Sequence, residues 1–145
     1  MVVSNSQEIV DVQIEGVRLE QVTSFKYSEV QIEENGKQDL EINSRLESTL
    51  KIYHAMNENF LSRKEISRST KMNVYKAIYR PILTFACESW VLDRRQRSRM
   101  QAMEMKYLRK VKEITRMHRV RNDLIREDIG IEPLQDFKEK RQLTC

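Results

Sequence analysis

At Asp39 the spacing of apolar residues changes. Before it, apolar side chains recur at about every second position; after it they recur at every third or fourth, and that spacing persists through most of the chain. A period of two lines one face of a strand, whereas a period near 3.6 lines one face of a helix. The expected fold is therefore α+β and predominantly α: a small N-terminal antiparallel β-hairpin segment followed by a helical bundle. With only three Gly and two Pro in 145 residues, the sequence is poor in the residues that interrupt helices.

The strand half reads in two pieces. In "EIVDVQIEGVRLEQV", Ile9, Val10, Val12 and Ile14 lead to Glu15-Gly16, and the pattern resumes with Val17, Leu19 and Val22, which predicts strand, turn and strand. In "VTSFKYSEVQIEENGKQ", Phe25, Tyr27, Val30 and Ile32 form a second alternating run ending at Asn35-Gly36, a pair suited to a tight turn. A short hairpin cannot bury its own apolar face, so this segment is expected to lie against something else.

Three long helices are expected next. The first begins at Asp39 as N-cap and carries Ile42, Leu46, Leu50, Tyr53 and Phe60 to about Ser62. The second begins near Ser67 to Ser69 and carries Met72, Tyr75, Ile78, Tyr79, Ile82 and Leu83. Pro81 should break or kink it, because proline removes a backbone donor and crowds the preceding turn. Trp90 is expected to anchor core with Phe85, Val91 and Leu92. The third helix spans about Arg94 to Ile114. Asn122 should cap a short helix that Gly130 stops, and Pro133 should open a last one whose Leu134 and Phe137 lack an obvious partner. The regions expected are 1–38, 39–121 and 122–145.

Charge is divided along the chain. Residues 1–42 hold nine acidic and three basic side chains, whereas Asp93 to Arg121 holds eleven basic and three acidic ones. On a helical projection Arg95, Arg99, Lys106, Arg109 and Lys110 share one fan of about 100°, beside an apolar fan of Met100, Met103, Tyr107, Val111 and Ile114. One stripe packs and the other is presented. Arg95 to Lys110 covers about 22 Å at 1.5 Å per residue, enough for several successive phosphates of a duplex. With Arg116, Arg119 and Arg121 just beyond, the pattern points to nucleic acid held by its backbone. The plain alternative is a solvated basic helix face.

Other classes are disfavoured. No apolar run approaches the roughly 20 residues of a membrane span, and "MVVSNSQEIV" lacks the regions of a signal peptide. An intracellular protein without a membrane partner is expected. Two cysteines, Cys87 and Cys145, give neither a disulfide framework nor, with His54 and His118, a zinc set.

The order "IEGVRLEQVTSFKY", "ENGKQDLEINSRLESTL", "KMNVYKAIYRPILTFACESW" and "EMKYLRKVKEITRMHRVRNDLIRE" resembles the C-terminal part of the reverse transcriptases of non-long-terminal-repeat (LINE-type) retrotransposons, over about residues 9 to 143. The resemblance implies that Phe25, Lys26 and Tyr27 are primer-grip-like and that the helices are thumb-like, contacting an RNA–DNA hybrid or duplex template–primer. It also implies a polymerase palm as partner, with Mg²⁺ belonging to that palm rather than to this chain.

Departures from the family pattern carry their own expectations. Ser28-Glu29 stands where Leu-Gly is usual, which puts a negative charge where a primer phosphate would lie. Glu113 stands where glycine is usual, which would let the third helix run on, and His118 stands where aspartate is usual. The chain has no Asp-Asp pair of the kind that holds the two metals of such polymerases, so no catalysis is expected from it alone. The expectation is a reverse transcriptase fragment that binds nucleic acid and self-associates through an exposed apolar face. Two other readings stay open: a stand-alone helical nucleic-acid-binding protein using "RRQRSRMQAMEMKYLRKVK", and a helical protein–protein module.

Overall fold

The computed structural model describes residues 9–28, 30–36, 38–85 and 91–144, so the expectations for Trp90, Cys87, Cys145 and Glu29 fall outside the described residues. The architecture is α+β and predominantly α, in two compact units, Met1–Ser44 and Arg45–Cys145.

In the first unit, β1 (Gln13–Ile14) and β2 (Val17–Arg18) pair antiparallel around Glu15 and Gly16, whose φ angles of 51° and 78° are those of a tight hairpin turn. Leu19 N–H donates to Val12 O at 2.9 Å and continues the ladder. The apolar residues of this hairpin stay exposed, Ile14 at 58% and Val17 at 67%.

The second run folds as the expected hairpin, but its turn lies at Ser28 rather than at Asn35-Gly36. It divides into β3 (Ser24–Tyr27) and β4 (Val30–Glu33), which pair with each other in the register Phe25 to Ile32 and Tyr27 to Val30. The chain reverses at Ser28, which adopts φ 46°. Asn35-Gly36 therefore leads from β4 toward helix α1 (Asp39–Met56) rather than closing a hairpin. Gly36 N–H donates to Glu33 O at 3.1 Å, and Glu33 Oε1 receives Leu40 N–H at 2.8 Å. Asp39 is thus the first helical residue, and a neighbouring strand's carboxylate satisfies an orphan donor of that first turn. Gln31 N–H donates to Glu41 Oε2 at 2.9 Å, a second tie between hairpin and helix within the unit.

In the second unit α1 continues into a π turn, Asn57–Leu61. Helix α2 (Arg68–Val74) starts where expected, with Ser67 Oγ accepting Thr70 N–H at 3.1 Å. Ser67→Ala should cost about 1 kcal/mol of unfolding free energy, read from a urea midpoint. The helix does not end at Pro81. A π turn, Tyr75–Tyr79, comes first, and α3 (Arg80–Leu83) carries Pro81 in its opening turn. The wider turn absorbs the irregularity just before the ring, where a missing N–H costs least.

Helix α4 (Arg94–Val111) opens with a reciprocal cap: Asp93 Oδ1 receives Gln96 N–H at 2.7 Å and Gln96 Oε1 receives Asp93 N–H at 2.9 Å. It ends at Val111 and does not run on. Glu113 adopts φ 57° and donates its N–H to Lys110 O at 3.1 Å, while Ile114 N–H reaches Arg109 O at 3.0 Å. This is a Schellman closure with glutamate in the position that favours glycine. Helix α5 (Asn122–Ile129) closes the same way on Gly130, φ 73°, with Ile131 N–H on Arg126 O at 3.0 Å. The two sites should therefore respond oppositely. Glu113→Gly should stabilise by about 1 kcal/mol, and Gly130→Ala, where an added Cβ has open space, should destabilise by about as much through backbone strain alone. Thermal melts of both variants check the pair of signs.

Helices α5 and α6 (Leu134–Thr144) both pack on α4. Leu134 is buried, and the Arg80 guanidinium lies 3.9 Å above the Phe137 ring, so the apolar side of α6 has partners. The core gathers Tyr53, Met72, Leu108, Val111 and Ile125 around the rings of Tyr75, Tyr79 and Tyr107, whose centroids lie 4.6 to 6.0 Å apart. Burial raises the pKa of all three phenols. Each hydroxyl donates: Tyr75 to Glu104 Oε1 at 2.9 Å, Tyr79 to Met103 O at 2.9 Å, and Tyr107 to Lys71 O at 2.8 Å.

Candidate nucleic-acid interface

The buried face of α4 is wider than its apolar fan, because α2, α5 and α6 all pack on this helix. Gln96, Glu104, Met105 and Leu108 are buried with Met100, Tyr107 and Val111, while Met103 and Ile114 are half-buried. Only a narrower strip remains for a ligand. Along α4 from Ser98 onward runs a cleft of about 670 Å³, lined by Lys106, Arg109, Lys110 and Arg116 together with Tyr53, Ser98, Met105 and Asn122 among others. No acidic side chain is among its described lining residues. A smaller cleft of about 310 Å³ shares Lys110, Ile114 and Thr115 with it and adds Lys64 and the acidic Glu113.

The eight basic residues expected to bind thus separate into groups. Lys106, Arg109, Lys110 and Arg116 converge on the main cleft. Arg95 and Arg99 are exposed two to four turns earlier on α4, and Arg119 and Arg121 are exposed on the segment that follows α4. The groups are not equivalent. Lys106 Nζ sits 4.5 Å from the centroid of the Tyr53 ring, which fixes the ammonium at the cleft wall. Arg109 turns toward the chain: Nη2 donates to Val120 O at 2.7 Å and to Asn122 Oδ1 at 2.9 Å, and Nη1 to Thr115 O at 3.4 Å.

The segment after α4 is shaped by local hydrogen bonds. Thr115 N–H donates to His118 Nδ1 at 2.9 Å across a 3-10 turn, Arg116–His118, after which Arg119 adopts φ 52°. His118 here accepts a backbone N–H, a role that aspartate also fills at such a turn. At the base, Lys112 donates to Asp128, and Arg68 does so too, which holds the Asp128 carboxyl below its ordinary pKa. Tyr53 and Asn122 were outside the sequence pattern because they reach the cleft from α1 and α5.

Phe25, Lys26 and Tyr27 lie on β3 in the first unit. Phe25 and Tyr27 share a face with Ile32 and Val30, both are more than half exposed, and Lys26 stands opposite Gln31. This alternation puts two rings on one face and the cation on the other.

Among the described residues no three His, Cys, Asp or Glu side chains converge, and Glu104, fully buried, is held by Tyr75 and by Arg126 Nη2 at 2.6 Å. No helix among the described residues is long and apolar enough to cross a membrane. Comparison with protein-family models, with curated proteins and with solved structures found no match to this chain.

Proposed function

We propose that the chain is the thumb-like, duplex-gripping part of a LINE-type reverse transcriptase, binding template–primer through its phosphates and leaving polymerase chemistry and Mg²⁺ to a palm. The observation that carries this reading is the cleft in which Lys106, Arg109, Lys110 and Arg116 converge without an acid among the described lining residues. Four cations on one concave wall suit a polyanion, and fixed charges along a helix suit a regular row of phosphates. Base edges are not addressed by such a row, so binding is tolerant of sequence. The exposed apolar residues of the hairpin unit, Ile14, Val17, Phe25 and Tyr27, are the surface this reading assigns to the palm or to self-association. An intracellular site of action follows from the same assignment.

The test is a titration of the full chain with a 16-base-pair RNA–DNA hybrid and with a second hybrid of scrambled sequence, each at several salt concentrations. The expected result is equal affinity for the two and a steep fall of log K with log salt, with a slope of about −0.9 for each phosphate neutralised on a B-form duplex and a comparable one here. A strong preference for one sequence would favour a stand-alone regulator. No salt-dependent binding would remove nucleic acid from the reading.

A further inference from the structure

Arg109 belongs by position to the basic stripe, yet its hydrogen bonds point elsewhere. Both protons of Nη2 are committed, to Val120 O and Asn122 Oδ1, and Nη1 reaches Thr115 O. One guanidinium therefore ties together the two ends of the segment between α4 and α5. That segment needs tying, because Arg119 holds φ 52°, a conformation an arginine keeps only when its surroundings enforce it. Between the tied ends stand Arg116, Arg119 and Arg121, all exposed, with Arg116 in the cleft wall.

We propose that Arg109 is a positioning residue that holds residues 115–122 in the shape presenting Arg116, Arg119 and Arg121 to bound phosphates, rather than a phosphate contact itself. The inference rests on the nucleic-acid reading above for what is presented, but the tether stands on geometry alone. A planar fork with five donors can span three acceptors on separate residues, whereas a lysine ammonium at the end of a flexible stem cannot reproduce that span. Charge and geometry can therefore be separated.

Two variants do so in the full chain, Arg109→Lys, which keeps the charge, and Asn122→Ala, which removes none. The first readout is amide hydrogen exchange of residues 115–121. Both variants should exchange there at least tenfold faster than wild type, with α4 protection retained, and Asn122→Asp, which keeps the Oδ acceptor, should hold wild-type protection. The second readout is the salt slope on the RNA–DNA hybrid, which should become shallower by about one to two in both variants as contacts from the segment are lost, with roughly tenfold weaker binding at a fixed salt concentration. A simple loss of stability would not change the slope.

Unchanged exchange in both Arg109→Lys and Asn122→Ala would overturn the tether, whatever the wild type binds. Full binding and slope in Arg109→Lys, with a loss of about 0.9 in Arg109→Ala only, would make Arg109 an ordinary phosphate contact and overturn the proposal. A wild-type chain without salt-dependent binding would instead overturn the nucleic-acid reading and with it what the tether presents.

Discussion

Replacing Glu104 with alanine is expected to lower the unfolding free energy by about 3–5 kcal/mol, measured by urea denaturation. Glu104 is fully buried, and its partner Arg126 is 5% exposed. One carboxylate oxygen accepts from Tyr75 and the other from Arg126. Removal of the carboxylate leaves a buried guanidinium whose Nε already has no acceptor and whose remaining carboxylate neighbour is Asp123 at 3.8 Å. An uncompensated buried cation is the expensive outcome, and a domain of this size has only about 5–15 kcal/mol in total. The pair itself is a different matter, because each charge was desolvated to make it. The double variant Glu104→Leu with Arg126→Met should therefore lie much closer to wild type than Glu104→Ala alone. A cost under about 1 kcal/mol for Glu104→Ala would mean that the two side chains are not a buried pair in solution.

That pair also shows where sequence stops informing structure. Periodicity locates α1, α2 and α4, Ser67 marks the start of α2, and Gly130 marks the end of α5, because these depend on neighbours within a turn or two. Glu104 sits beside the apolar fan of α4, and nothing local distinguishes it from a solvated glutamate. Its burial is decided by Arg126 and Tyr75, 22 and 29 residues away. Arg109 poses the same problem in the candidate site. Five cations on one fan look alike until the segment before α5 folds back and takes one of them.

Two differences had local signals. Apolar residues step by two from Phe25 to Tyr27 and from Val30 to Ile32, but by three from Tyr27 to Val30, which leaves Ser28 and Glu29 as the two residues of a reversal. The structure reverses there, with Ser28 at φ 46°. At Glu113 the signal is the opposite of the obvious one. Glutamate favours continued helix, but Ile114 has apolar neighbours to join in the core, and the closing hydrogen bonds to Lys110 and Arg109 form at the cost of one strained residue. Tertiary packing outweighs a preference of about 1 kcal/mol.

Charge reversal at the cleft should have the largest functional effect. In the triple variant Lys106→Glu, Lys110→Glu and Arg116→Glu, affinity for an RNA–DNA hybrid should fall roughly 100-fold or more near 0.1 M salt, and the salt slope should lose about 2.7. The three residues come from α4 and from the segment after it, and the cleft is where they converge. Reversal places repulsive charges at that point, whereas the pair Arg95→Glu and Arg99→Glu acts two to four turns away and should cost less. Stability should change little by comparison. Lys106 contributes a cation–π contact with Tyr53, worth about 0.5–1 kcal/mol at such a partly exposed site, and the triple variant should melt within a few degrees of wild type. If the Arg95 and Arg99 pair weakens binding as strongly as the cleft triple, the ligand tracks the whole face of α4 and the cleft is only part of its path. If neither variant changes binding, the basic face is solvated charge, and the protein–protein reading of the helices takes precedence.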